Sequence, residues 1–304
     1  MLRSLLFLPG NSPAMLLNGM VLPADAIIID LEDAVAPDQK DAARDLVAQA
    51  LKTLDFGPRQ LLVRVNALDT PYWREDVAAV VEAGARILLP AKVSGAEYIQ
   101  TLDEELSRVE EAQGLEQGSV RIAALIETAQ GLEEAPAIAK ASSRLIALFL
   151  GGEDLSADLG AERTKEGKEI FYARSRIVAS AKAAGILAID TPFTDVHDQE
   201  GLVVDTKLAR NMGFSGKASI SPHHLKTINQ VFAPTPEAIL YAQEVMAVIE
   251  EGKRLGKGAV SLHGKMVDPP IVARAQQVLH MAQELGLLAD PSKQDTAKEA
   301  KEVR

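Results

Sequence analysis

Apolar residues gather along this chain in eight short runs: SLLFL (4–8), AIIID (26–30), LLVRV (61–65), RILLP (86–90), IAALIE (122–127), LIALFL (145–150), ILAID (186–190) and KASIS (217–221). Continuous rather than alternating apolar character marks strands that are covered on both faces, as in a parallel sheet. The gaps between runs carry helical spacing instead. Between Pro37 and Leu54 the residues Ala43, Leu46, Val47, Ala50 and Leu51 fall on one helix face, as do Tyr98, Leu102, Leu106 and Val109 further on. Ser12 before Pro13 predicts an N-cap with proline at the first helical position, and Ser94 a second cap. Gly84 and Gly185 stand where a helix must stop before the next strand. The pattern is βα repeated eight times, which predicts an α/β chain folded as a (β/α)8 TIM barrel over residues 1–232. An open doubly wound sheet is the structural rival, but it needs a switch point and usually fewer strands.

Beyond the eighth unit the pattern predicts a C-terminal helical extension over 233–289. It has one helix from Pro236 to Arg254, a short strand near AVSLH, and a last helix carrying Ile271, Ala275, Val278, Leu279 and Ala282. This extension is expected to pack on the barrel or on a neighbouring subunit. The stretch 290–304 is polar, charged and free of aromatic residues, and reads as a disordered tail.

A length of 304 residues suits one barrel plus this appendage. The chain has 32 basic and 43 acidic residues, a net charge of −11, which argues against a nucleic-acid partner. With no cysteine there are no disulfides or thiolate metal sites. The apolar run at Leu5–Leu8 is shorter than a signal-peptide core of about 7–15 residues. No stretch reaches the roughly 20 apolar residues of a membrane span. A cytoplasmic enzyme is the expectation.

In such a barrel the chemistry sits at the C-terminal ends of the strands. Run two ends in Asp30, with Glu32 and Asp33 just after it; run three carries Arg64, with Asn66 just after it; and Lys92 follows run four. Glu127 ends run five, Gly151, Gly152, Glu153 and Asp154 follow run six, and Asp190 and Thr191 end run seven. Glu127 and Asp154 end neighbouring strands, so their carboxylates can converge. Two such groups repel unless a cation joins them, and Mg2+ is commonly held by one or two carboxylates plus waters and substrate. The alternative is that either acid merely caps the following helix. Glu153 is expected to point away from Asp154 by strand alternation. Arg64, in an otherwise apolar strand, needs a partner: Glu32 or Asp33, a substrate carboxylate, or both. Lys92 admits a Schiff-base reading or simple anion binding. His223–His224 lacks the spacing of a metal pair.

RSLLFLPGN, DLEDAV (30–35), VRVNALDT (63–70), ALIETAQG (124–131), GGEDLSADLG (151–160), YARS (172–175) and SLHGKMVDPPIV (261–272) together resemble the citrate lyase beta subunit-like group of the HpcH/HpaI aldolase superfamily. The resemblance runs from Arg3 to about Leu287. It implies a homotrimeric barrel enzyme with Mg2+ as cofactor. The implied reaction breaks or makes a carbon–carbon bond in a 3-hydroxyacyl-CoA thioester such as citryl-, malyl- or citramalyl-CoA, giving an acetyl thioester and a 2-oxo acid. The family's metal ligands fall on Glu127 and Asp154, its substrate-carboxylate arginine on Arg64, and its acidic pair on Glu32 and Asp33. In relatives that use CoA, the aspartate that transfers a proton reaches a neighbouring subunit and matches Asp268, which spacing alone reads as a turn residue before Pro269–Pro270. Two other activities stay open: a citryl lyase subunit served by an acyl carrier protein, and a CoA-independent pyruvate aldolase, which usually relies on a histidine base. The CoA contacts stay unassigned, with Arg3, Arg163 and Lys165 as candidates for the diphosphate.

Overall fold

A computed structural model describes residues 2–256 and 260–288. All eight apolar runs are strands in it: β1 (Ser4–Pro9), β2 (Ala26–Asp30), β3 (Gln60–Val65), β4 (Ile87–Pro90), β5 (Arg121–Ile126), β6 (Leu145–Leu150), β7 (Leu187–Asp190) and β8 (Gly216–Ser219). Each pairs in parallel with the next, and β8 returns to β1 with Ser4 opposite Lys217, so the barrel closes and the doubly wound rival is excluded. Alternation along each strand explains the continuous apolar runs. Leu5, Ile28, Leu62, Leu125, Phe149 and Ala218 point inward and fill the barrel. Leu6, Ile27, Ile29, Val63 and Leu148 point outward into the larger core beneath the helices. Each such Leu or Ile contributes about 1.5–3 kcal/mol of burial.

The covering helices are α1 (Pro13–Gly19), α2 (Lys40–Thr53), α3 (Trp73–Glu82), α4 (Ala96–Gln113), α5 (Ala129–Glu133), α6 (Ala135–Ile138), α7 (Gly152–Asp158), α8 (Phe171–Ala184), α9 (Gln199–Met212) and α10 (Leu225–Phe232). In α2, Ala43, Val47 and Ala50 are buried, as the spacing predicts. Gly185 closes α8 in the left-handed conformation at φ 71°. Two expected caps differ. Ser12 precedes α1 but its hydroxyl makes no capping bond, and α4 is preceded by Gly95 rather than Ser94.

The chain from Ala233 onward forms a second compact unit, distinct from Leu2–Phe232. It comprises α11 (Pro236–Arg254), α12 (Pro269–Glu284) and an antiparallel ribbon of β9 (Ser261–Leu262) and β10 (Lys265–Met266). Ala242, Val245, Val267 and Ala275 form its core. His263 and Gly264 turn the ribbon, both with positive φ, as a tight two-residue hairpin requires. The expected disordered tail, 290–304, lies outside the described residues. Among the described residues no helix is long and apolar enough to cross a membrane.

Candidate active site

The alternation that packs the barrel also decides which side chains reach its mouth. Ala26 and Ile28 face inward on β2, so Asp30 does too. Leu62 sets the phase for Arg64 on β3, and Ala123 and Leu125 set it for Glu127 just past β5. These residues meet in a cavity of about 450 Å³ at the C-terminal mouth, with Asp33, Gly151, Gly152, Glu153, Asp154 and Thr191 on the polar side. Phe7, Leu125, Phe149, Leu150 and Ile220 form the apolar wall.

Arg64 is the cationic centre. The ladder sets it opposite Asp30, and the two make a bidentate pair, Nε to Oδ1 at 2.7 Å and Nη2 to Oδ2 at 2.6 Å. Its Nη1 lies 3.0 Å from Glu32 Oε2 and 3.4 Å from Asp33 Oδ2, and the guanidinium sits 5.1 Å from the centre of the Phe7 ring. Burial opposes its charge, but Asp30, Glu32 and Asp33 outweigh that and raise its pKa. The expected partners, Glu32 and Asp33, are both present. The strongest partner, Asp30, is one the sequence left unassigned, although its inward phase on the adjacent strand was a usable signal. The acidic loop is itself braced: Lys40 Nζ donates to the carbonyls of Leu31 and Glu32 at 2.8 and 2.7 Å, and Asn66 Nδ2 to that of Leu31 at 3.0 Å.

Glu127 is 2% exposed, while Asp154 is exposed in the first turn of α7. Burial, and next the charge of Asp154, push the Glu127 carboxyl up to about 8; Arg64 and the Lys92 N–H act in the opposite direction. The two carboxylates thus meet in one cavity and repel. The chain makes room for this: a Cβ on Gly151 would lie 2.5 Å from Glu127 Cβ and 2.7 Å from its Oε2. Gly152 N–H donates to Thr191 Oγ1 at 2.9 Å, which seats the start of α7. Among the described residues no three His, Cys, Asp or Glu side chains gather as a closed metal cage. Two oxygen donors at an open cavity suit a hard divalent cation that keeps part of its water, which is the habit of Mg2+.

Glu153 also lines the cavity, because it lies in helix α7, where successive side chains turn by about 100°, not in a strand; Arg163 Nε lies 3.0 Å from it. Lys92 Nζ donates to Glu32 Oε1 at 3.0 Å, and this bond raises its pKa. It is a charged ammonium, not the neutral amine a Schiff base requires. Asp190 points out of the barrel, where it joins Arg174, Lys217 and Asp205 in a buried ionic cluster. His224 is fully buried against Phe193. Arg3 pairs with Asp25 before β1 begins, at the end of the barrel opposite the cavity. Arg163 and Lys165 are engaged by Glu169 and Asp198. Asp268 caps α12, its Oδ1 accepting the Ile271 N–H at 3.1 Å. A role for the Lys92 main chain was not legible, because it depends on an unusual backbone angle.

Comparison with known proteins places this site in context. The chain is 43% identical over 280 residues to the citrate lyase subunit beta of Leuconostoc mesenteroides, covering 92% of this chain and 93% of that one. It is 34% identical over 291 residues to the mitochondrial citramalyl-CoA lyase of Rattus norvegicus, covering 92% and 86%. Among solved structures, CitE from Mycobacterium tuberculosis in complex with magnesium, acetoacetate and coenzyme A superimposes with a TM-score of 0.77 at 30% identity, covering 92% of this chain and 98% of that one. Residues 3–222, which include every strand of the barrel and every residue of the cavity, match the family model HpcH/HpaI aldolase/citrate lyase. An acidic pair and a carboxylate-braced arginine at the mouth of a closed barrel, together with these likenesses along nearly the whole chain, place the protein in the HpcH/HpaI aldolase/citrate lyase family.

Proposed function

We propose that this chain is a Mg2+-dependent carbon–carbon lyase, or the reverse synthase. Its substrate is a 3-hydroxyacyl thioester of the citryl, malyl or citramalyl kind, and its products are an acetyl thioester and a 2-oxo acid. The observation that carries this reading is the buried Glu127 carboxyl sharing one cavity with Asp154 and Arg64. The names of the relatives, which act on citrate, citramalyl-CoA and malyl-CoA, support the substrate class.

Glu127 and Asp154 would hold the cation, which when bound supplies electrophilic stabilisation of negative charge on oxygen as the bond breaks. Arg64 grips the carboxylate of the 2-oxo acid fragment and adds positive potential beside it. Asp30, Glu32 and Asp33 fix the plane of the guanidinium, and Asp33 reaches the cavity itself. The apolar wall of Phe7, Leu125 and Phe149 limits water around the reacting carbons. Asp268 transfers the proton to or from the acetyl carbon, supplied by a neighbouring subunit of a homotrimer. A carrier-bound substrate is the second reading, favoured by the 43% identity to a citrate lyase subunit beta over 93% of its length. It makes an acyl carrier protein the partner. A CoA-independent pyruvate aldolase is less favoured, since no histidine lines the cavity among the described residues.

A panel of citryl-, malyl- and citramalyl-CoA, with and without Mg2+, tests this directly, with acetyl-CoA followed by mass spectrometry. Release of acetyl-CoA from at least one, abolished by EDTA, is the expected result. Turnover only with a carrier-bound thioester selects the second reading, and release of pyruvate from free 4-hydroxy-2-oxo acids alone contradicts both. Asp268→Asn belongs in the same assay. Asparagine caps a helix as well as aspartate does but cannot pass a proton, so unchanged thermal stability with lost turnover is expected.

A further inference from the structure

Lys92 follows β4 with φ at 54°, one of two non-glycine residues with positive φ among those described. This conformation is strained for a residue with a side chain and persists where the surroundings impose it. Glycine would adopt it freely and would still present a main-chain N–H. The lysine side chain therefore has a use of its own.

Both donors of Lys92 are engaged by carboxylates of the site. Its main-chain N–H donates to Glu127 Oε1 at 2.8 Å. Its ammonium donates to Glu32 Oε1 at 3.0 Å and lies 4.0 Å from Asp33 Oδ1. From the end of β4, one residue thus ties the acid at the end of neighbouring β5 to the acid that follows β2, reaching the latter across β3. Glu32 passes the constraint on: its Oε2 accepts the Asp33 N–H at 2.8 Å and lies 3.0 Å from Arg64 Nη1. Glu32 is buried and Lys92 is not among the residues lining the cavity of Glu127 and Arg64, so the ammonium's contact route to that cavity runs through Glu32.

Resting on the roles given above to Glu127 and Arg64, we propose that Lys92 is a positioning residue with two separable arms. Its main-chain arm aims Glu127. Its side-chain arm fixes Glu32 and, through it, the arginine that meets the substrate carboxylate. The test measures kcat and KM with the best thioester, and Mg2+ affinity by calorimetry, for wild type, Lys92→Met, Lys92→Gly, Lys92→Arg, Glu32→Gln and the Glu32→Gln/Lys92→Met double variant. Lys92→Met and Lys92→Gly keep the N–H, so kcat/KM falls about 10–100-fold, mostly through KM, while Mg2+ affinity stays within about two-fold. Lys92→Arg restores most of the loss. The double variant is no worse than the poorer single variant, because both substitutions cut the same link. Wild-type kcat/KM in Lys92→Met, no rescue by arginine, multiplying losses in the double variant, or Mg2+ affinity falling in step with kcat/KM would each overturn the proposal. A wild-type protein whose turnover ignores Mg2+ overturns the functional reading beneath it, and this control separates the two failures.

Discussion

Glu127 sits where an isolated carboxylate is least stable, buried and facing another acid. Removing its charge relieves that repulsion, so Glu127→Gln is expected to raise the melting temperature of the ion-free protein at pH 8 while abolishing Mg2+-dependent turnover. Scanning calorimetry beside the thioester assay checks both halves. Gly151→Ala attacks the same group by contact, since the added Cβ meets Glu127 Cβ at 2.5 Å. A loss of about ten-fold or more in Mg2+ affinity is expected from displacing a ligand in this way. That Glu127, Asp154 and Arg64 would share the barrel mouth was legible in the sequence because strand phase and strand ends are visible there. Asp30 as the main partner of Arg64 was not, because it depends on the ladder register, nor was the left-handed Lys92, which only coordinates reveal.

At the scale of elements, α4 is tied to the start of β6 by a buried ionic pair. Arg144 donates from Nη1 and Nη2 to Glu110 at 2.7 and 2.8 Å, and Glu110 also accepts the N–H groups of Val120 and Gly118. Burial works against the Glu110 charge, but Arg144 and the two N–H groups hold its carboxyl down to about 2. Glu110→Gln removes the buried one of the guanidinium's two counter-charges and leaves it paired only to Asp103, so a loss of about 1–3 kcal/mol is expected. Urea unfolding measures it. Turnover of the folded fraction stays unchanged, because the pair lies at the barrel end opposite the cavity. The strands were legible because burial on both faces writes continuous apolar runs. The short helices α5, α6 and α7 were not, since four to seven residues hold too few turns to show a period. Ser94 misled because the start of α4 is set by the chain path at Gly95.

For the molecule as a whole, stability is linked to pH through the same groups. The Glu127 carboxyl is raised from 4.5 in a free chain to about 8 in the fold. Its contribution is therefore full below pH 4.5 and is lost as pH rises through 8, by up to about 1.4 kcal/mol per pH unit. Glu110, held down to about 2, has the opposite sign: its contribution is present above pH 4.5 and lost as pH falls toward 2. In the proposed function Mg2+ would bind the ionised pair and offset the Glu127 loss. The rise in melting temperature on adding Mg2+ is thus expected to grow between pH 5.5 and 8.5, and a rise independent of pH would remove Glu127 from the site. The barrel was legible from its period. The substrate class was not, because thioesters of this kind differ by small groups that one cavity accommodates by detail. Only the resemblance of the motifs carried that step.

Calorimetric titration of Mg2+ into EDTA-treated protein tests the central claim most directly, with wild type beside Glu127→Gln and Asp154→Asn. The account predicts one site in the wild type, no measurable binding in either variant, and circular dichroism spectra that overlay. Wild-type affinity in either variant, or full turnover by wild type in excess EDTA, would contradict it.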